Sequence, residues 1–526
     1  MSSNNNKEIQ TIFKNSQEAE AFMISQFGKS ESFDVNMKHI HIHNMDVFTI
    51  NINGLIDSQN YTQLLTNIQP TEEYKRNKFQ SGKAKTNSGE KEQDEDHKEE
   101  EDSEKENSSP NEEQIQAEAE YFFVSFPFFA WEVQTSKDKL LTAIMSGQVA
   151  FITPSGIAFT ADLRSYPGRN PEEPDNEKVI RGSRDGFTEN IVQNTGLIRR
   201  RIRDTSLRFE LHQVSTRSQM DVSLVYLKNL VNNEHLEFIR ERLKDIKHDG
   251  LTMADKSLEE WLIKQGFHPL PFVRYSERPD IVAAHILEGH IAIVVDTSPS
   301  VILVPVTVFH HLQHAEEYRQ APAIGTIIRF LRFFGAFLSF FLLPLWFLIV
   351  KHPEYIPSFM DFIGINKKSS VPLLVQILAA DIGIEFLRLA AIHTPTPLST
   401  AMGLIAGIII GQIAIDVGLF SAEVVLYTAV SAIFTFAIPS YELSVTIKIF
   451  RILLLLLTAA FGVNGFFIGI LLTVFYMASL KPMKVPYLWP LIPFFPAAFA
   501  HVVIRYPMTN DSPRPFILGA KDRKRN

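Results

Sequence analysis

The chain has 526 residues, with 51 Lys and Arg against 59 Asp and Glu, a net charge of −8 and no cysteine. Ala321 to Ala500 holds 17 of those charges in 180 positions while the other 346 hold 93, so a polar region is followed by an apolar one. The lack of cysteine excludes a disulfide scaffold, a thiolate metal site and a cysteine nucleophile. The opening M-S-S-N-N-N-K-E-I-Q lacks the apolar core of a secretory signal, which places the polar region in the cytosol.

In chain order, a helix is expected within Lys7 to Phe27. A half-buried strand follows at Asp46 to Asp57, where D-V-F-T-I-N-I-N alternates with a period of two and turns at Gly54. Residues 1–70 therefore read as a small N-terminal α/β subdomain, too small to stand without docking onto the next domain. Glu90 to Glu113 then carries thirteen acids against Lys91, Lys98 and Lys105. The remainder of the chain is thus close to neutral, and the acidic balance identifies no basic partner for the folded parts. With no aromatic residue between Phe79 and Tyr121, residues 71–119 are read as a disordered acidic linker, the alternative being an arm that concentrates cations or holds a basic partner.

Residues 120–320 alternate helix and strand, as a mixed α/β cytosolic domain does. Helices are expected at Asp138 to Ser146, Phe187 to Ile202, Asn233 to Ile246 and Ser257 to Lys264. Strands are expected at Gln148 to Thr153, Ile157 to Asp162, Leu207 to Val214, Asp221 to Lys228, Ile291 to Asp296 and Val301 to Pro305. The loop from Arg164 to Gly186 is rich in proline, glycine and both signs of charge. Its end, with Arg181, Arg184 and Asp185, is suited to a subunit contact.

Residues 321–484 read as an α-helical multi-pass membrane domain, since about twenty apolar residues cross a hydrocarbon core. Four runs qualify: Phe330 to Val350, Pro397 to Ile415, Leu419 to Ile438 and Ile452 to Tyr476, the last read as a single crossing. Glycines at 403, 407 and 411 and at 462, 465 and 469 allow close helix approach, within one subunit or between two. A fifth segment, Val371 to Ala391, places Asp381, Glu385 and Arg388 on one helical face that cannot meet lipid. It is either an interfacial helix whose charges pair locally or the lining of an aqueous path. In the second case an oligomer would form a ring of carboxylates favouring cations, with Gln412 and Asp416 as weaker members. Arg319, Arg329, Arg332 and a basic end to the aromatic tail at 485–526 put both ends in the cytosol, giving an even count of four to six helices.

No nucleotide-binding, nucleophile-elbow or zinc-protease motif occurs, so an enzyme with catalytic residues or a cofactor is not expected. His39, His41 and His43 alternate, and His310 and His314 lie four apart, but without further ligands they read as solvated or capping rather than metal-binding. Arg199, Arg200, Arg201 and Arg203 complement a helix end and need no nucleic acid.

R-G-S-R-D-G-F-T-E-N (Arg181 to Asn190), N-T-G-L-I-R-R-R-I-R-D (Asn194 to Asp204), Y-S-E-R-P-D (Tyr275 to Asp280), L-E-G-H-I-A-I-V-V-D (Leu287 to Asp296), V-P-V-T (Val304 to Thr307) and P-Y-L-W-P (Pro486 to Pro490) together resemble the A-subunit family of GerA-type spore germination proteins. The resemblance runs from Tyr121 to the C-terminus, and the acidic tract departs from it. It implies a multi-pass protein of the spore inner membrane, with its soluble region cytosolic, that oligomerises and takes part in ion release during germination beside other germination membrane proteins. Two readings stay open: a channel built from its own helices, or a scaffold that assembles other germination proteins.

Overall fold

The computed structural model describes residues 11–68 apart from 29–30 and 43–44, residues 131–164, residues 177–393 apart from 265, 356–362 and 366–368, and residues 403–522 apart from 404, 406, 508 and 510–513. The acidic tract, most of the loop after Arg164, His43 and the start of the run at Pro397 lie outside the described residues.

Helix α1 (Ser16–Phe27) starts where the Asn15 side chain accepts the backbone N–H of Glu18 at 2.8 Å. The expected strand at Asp46 forms as one member of an antiparallel pair, β1 (Val35–Ile42) with β2 (Met45–Ile52), followed by α2 (Ser58–Ile68). Beyond the acidic tract come β3 (Trp131–Val133), α3 (Lys137–Met145), β4 (Val149–Ile152) and β5 (Ala158–Ala161). These join the first pair in one five-stranded antiparallel sheet of order β1-β2-β4-β5-β3. The division at residue 70 is therefore corrected: strands from both sides of residues 71–119 share a sheet. The reason is cover. The last six residues of β2 are all buried, and a two-stranded ribbon cannot shield both its faces. Phe48, Ile50 and Ile152 pack under α1 and α3, while Val47, Phe151 and Phe159 pack on the opposite face with Leu64 of α2.

The second unit repeats this plan. Helix α4 (Ile191–Arg201) is followed by β6 (Leu207–Val214), β7 (Met220–Leu227), α5 (Asn233–Lys244), α6 (Ala254–Ile263), β8 (Arg274–Ser276), α7 (Pro279–Glu288), β9 (Ile291–Val295) and β10 (Val301–Val304). The sheet is antiparallel with order β6-β7-β9-β10-β8. All five residues of β9 are buried because α4 and α7 cover one face and α5 and α6 the other. Arg199 joins the two units. Its Nη2 donates to Asp34 Oδ2 at 2.9 Å with both groups fully buried, and its guanidinium lies 4.7 Å from the Phe209 ring centre. The helix-end account of Arg199 is thereby corrected, since a fully desolvated guanidinium requires a buried acid.

Short helices α8 (Val308–Leu312) and α9 (Ala315–Arg319) lead into α10 (Pro322–Lys351), α11 (Leu373–His393), α12 (Ala422–Phe436), α13 (Tyr441–Ser479) and α14 (Pro496–Val503). Among the described residues, α10 and α13 are long and apolar enough to cross a membrane, and α12 is a shorter apolar helix. Arg329 and Arg332, expected as flanking cations, close on the buried Glu317, with Arg329 Nε 2.7 Å from its carboxylate.

The single crossing expected at Ile452 to Tyr476 is corrected. Phe450 and Tyr476 meet edge to face with ring centres 5.8 Å apart, whereas 26 residues of continuous helix would separate them by about 39 Å. The helix reverses at Gly462, whose φ of 59° and ψ of −135° only glycine adopts readily. A Cβ on Gly465 would collide with the Leu457 carbonyl, and one on Gly469 would meet Leu454. Thus α13 is a helical hairpin whose two ends return to the sheets: Lys256 Nζ lies 3.0 Å from Glu442, and Tyr476 Oη 2.8 Å from His268 Nδ1. Its tip lies at the distal end of α10, where Lys351 Nζ donates to the Ala459 carbonyl at 3.0 Å. In contrast, among the described residues nothing lies within 4 Å of a Cβ on Gly403, Gly407 or Gly411, whereas Gly465 and Gly469 of the second series pack closely.

Candidate functional site: an ion-pair cluster inside the helical bundle

Asp381 and Glu385 lie one turn apart on α11, and the hairpin brings Lys448 and Arg451 of α13 against them. Arg451 Nη2 donates to Asp381 Oδ1 at 2.6 Å, and both side chains are almost fully buried. Arg451 Nη1 also donates to the Ser339 carbonyl of α10 at 2.9 Å and to Ser431 Oγ of α12 at 2.6 Å, so one guanidinium ties four helices. Lys448 Nζ spans the two acids, 2.8 Å from Glu385 Oε2 and 3.6 Å from Asp381 Oδ1. Arg388 closes the far side, 2.7 Å from Glu385 Oε1, with its guanidinium over the rings of Tyr441 and Phe436.

The expected grouping of Asp381, Glu385 and Arg388 is present, but its surroundings differ from the expectation. Asp381 is 2% exposed and meets protein cations rather than water. Lys448 and Arg451 are not revealed by the sequence pattern. Their signal is only a pair of cations three residues apart immediately before the apolar run that begins at Ile452. The cluster holds three cations and two carboxylates, a formal excess of one positive charge. Gln412 and Asp416 are not brought to it: both are exposed, and Gln412 sits in a π-helical turn at Ile409–Ile413, where a spacing of four no longer fixes one face. The Ser369 hydroxyl donates to the nearby Gly418 carbonyl at 2.6 Å.

Arg181 and Arg184 are exposed, as a contact surface requires. Asp185 instead turns inward to Arg201, 2.5 Å away, and is corrected to an internal partner. Among the described residues, no group of three or more His, Asp or Glu side chains is arranged to hold a metal. His39 bridges Glu20 and Asp46 at 3.2 and 3.1 Å. His310 and His314 do cap: the Nδ1 of each accepts a backbone N–H at the start of α8 and α9 respectively.

His310 also belongs to a group the sequence did not reveal. His285, His290 and His310 pack with ring centres 5.0–6.0 Å apart beneath α7 and α8. Burial holds His290 and His314 at about 4 and His311 at about 3, and burial with Arg274 holds His285 well below the usual imidazole range. These rings are neutral when folded and take protons near pH 6.5 when unfolded. Their stabilisation is complete above about pH 6.5 and is lost as pH falls toward about 4. The melting temperature of the full chain should therefore drop steeply between about pH 6.5 and 5. Replacing His290 and His311 by Gln should flatten that slope, and a pH-independent melting temperature would contradict the burial of these rings.

Two helix-covered antiparallel sheets joined to an apolar helical bundle pinned by internal ion pairs define the class of architecture. The chain belongs to the GerA family: the model described as "Bacillus/Clostridium GerA spore germination protein" matches residues 22–517. It is 54% identical to stage V sporulation protein AF of Bacillus subtilis (strain 168) over 74% of this chain and 79% of that protein. It is 30% identical to spore germination protein GerLA of Bacillus cereus over 74% of this chain and 80% of that protein. The crystal structure of the N-terminal domain of the A subunit of the Bacillus megaterium spore germinant receptor GerK3 aligns at 21% identity and a TM-score of 0.36, covering 57% of this chain and 98% of that one.

Proposed function

We propose that this protein is a multi-pass subunit of a spore germination assembly in the spore inner membrane, with its sheets in the cytosol, that takes part in ion release during germination. The observation that carries this reading is the ion-pair cluster of Asp381, Glu385, Arg388, Lys448 and Arg451 within helices otherwise apolar, in a chain of the GerA family. Charges at membrane depth are retained where they serve a path or a helix contact.

The packing supports an even number of crossings. Helix α10 runs away from the sheets, and α11 and α12 run back toward them. Both start near the distal end, where Gln376 Oε1 accepts the Ser421 N–H at 2.8 Å. The hairpin adds one leg in each direction. Residues 407–416, helical and leading to Gly418 at the distal end, add a sixth leg and make the count even.

Homo-oligomers would place one cluster per subunit around an axis, with the open glycine face at 403, 407 and 411 available as a seam. Ion flux from liposomes containing the purified protein alone tests this: flux that depends on Glu385 supports a path built by these helices. The pairing of Asp381 with Arg451 and Lys448 favours a second reading, a non-conducting scaffold whose polar residues hold helices together, and absence of flux with an intact oligomer would select it. A double charge reversal, Arg181→Glu with Arg184→Glu, should lower oligomer mass while leaving the melting temperature unchanged. Unfolding by that variant would make these arginines internal instead.

A further inference from the structure

After the hairpin, the chain presents an exposed apolar surface. Residues 491–497 are all exposed, among them Leu491, Ile492 and Phe494. The segment is fixed in place. Arg329 Nη1 donates to the carbonyls of His501 and Val502, both at 3.1 Å, and the backbone N–H of Arg505 donates to Thr326 Oγ1 at 3.1 Å. A ladder of rings runs from Phe494 through Phe499 and Phe309 to Phe333, each step between 5.9 and 6.4 Å. The exposed run therefore stands beside α10 between Thr326 and Phe333, the level at which α10 passes from the buried Glu317 ion pairs to its apolar length.

The occupant follows from length, continuity and charge. Helix α14 has eight residues, about 12 Å, against the roughly 30 Å of a hydrocarbon core, so it cannot cross. Its apolar surface continues that of α10, where Ile327, Phe330, Leu331 and Phe334 are each about half exposed or more. The stretch from Leu491 to Ala500 contains no polar residue, unlike a protein contact with its polar rim. Exposed Lys481 and Lys484 precede it, the arrangement that meets anionic headgroups. We propose that residues 491–504 form an apolar wedge seated in the headgroup–acyl boundary of the leaflet facing the sheets, with bilayer lipid as its ligand. This rests on the membrane reading above.

The absence of native cysteine makes the test direct. Single variants Phe494→Cys and Ile492→Cys, spin-labelled in the full chain and reconstituted into liposomes of phosphatidylcholine and phosphatidylglycerol, report contact with lipid-soluble oxygen and with an aqueous nickel chelate. Phe337→Cys, mid-way along α10, and Lys264→Cys, on the sheet unit, calibrate lipid and water. Labels at 494 and 492 are expected to match 337, with oxygen contact several-fold above that of nickel. If they match 264 while 337 reports lipid, the wedge is overturned and the membrane reading stands. If 337 also reports water, both fall. Shielding of 494 and 492 from both reagents would mean that protein covers the run, which also overturns the proposal.

Discussion

Replacing Asp381 with leucine is expected to destabilise the folded bundle by about 3–5 kcal/mol, the usual cost of leaving a buried charge without its partner. The variant would remove the one acid that Arg451 contacts and leave Lys448 with Glu385 alone. Because the cluster already holds one more cation than it has acids, the loss would leave two cations in excess. Arg451→Met acts in the opposite sense: it equalises the charges, and Asp381 keeps Lys448 at 3.6 Å. It should therefore cost less than half as much. Combining Asp381→Leu with Arg451→Met should recover a large part of the single loss, since removing both members of a buried pair is far milder than removing one. Melting temperatures in detergent measure this order. An Asp381→Leu protein that melts like the parent would show that the pair does not form.

Gly465→Val is expected to abolish the hairpin and with it the folded protein. The added Cβ would occupy the space of the Leu457 carbonyl, a backbone atom that no side-chain rotation can move aside. Gly462→Ala forces a side chain into a region that costs on the order of 1–3 kcal/mol and should lower the melting temperature without blocking folding. Gly407→Ala is the internal control. Among the described residues nothing lies within 4 Å of its Cβ, so it should be neutral or slightly stabilising. Yield of monodisperse protein, followed by melting temperature, ranks the three. Equal behaviour of Gly465→Val and Gly407→Ala would exclude the reversal at Gly462.

Local pattern made much of this fold legible, and its failures are long-range. The strand at Ile291 is legible from a short apolar run and the charged face of α11 from a period of 3.6, which are properties of neighbouring residues. The partners of that face are not. Lys448 and Arg451 sit just outside the apolar run that marks the last span, and only the reversal at Gly462 explains why α13 packs back along the bundle. Nothing in F-G-V-N-G distinguishes a hairpin tip from a small residue in a long helix, because the difference lies in one positive φ. Helix α7 and the short β8 escaped for a related reason: R-Y-S pairs with β10, and its strand character comes from that pairing rather than from its own three residues. Likewise V-N-M-K-H-I-H-I invited attention to its histidines, although the same alternation is that of edge strand β1.

The first sheet closes a loop on itself. Strands β1 and β2 precede residues 69–130 and β3 to β5 follow them, and the seam is the ladder Phe48↔Ile152, Thr49↔Phe151 and Ile50↔Ala150. Closure entropy grows only logarithmically, by about 0.6 kcal/mol for each doubling of length. The acidic insert can therefore lengthen or shorten across generations with little effect on the sheet. A single proteolytic cut within it would leave two fragments clasped by that ladder, so nicking would convert one covalent chain into a heterodimer of its own halves rather than release the N-terminal strands.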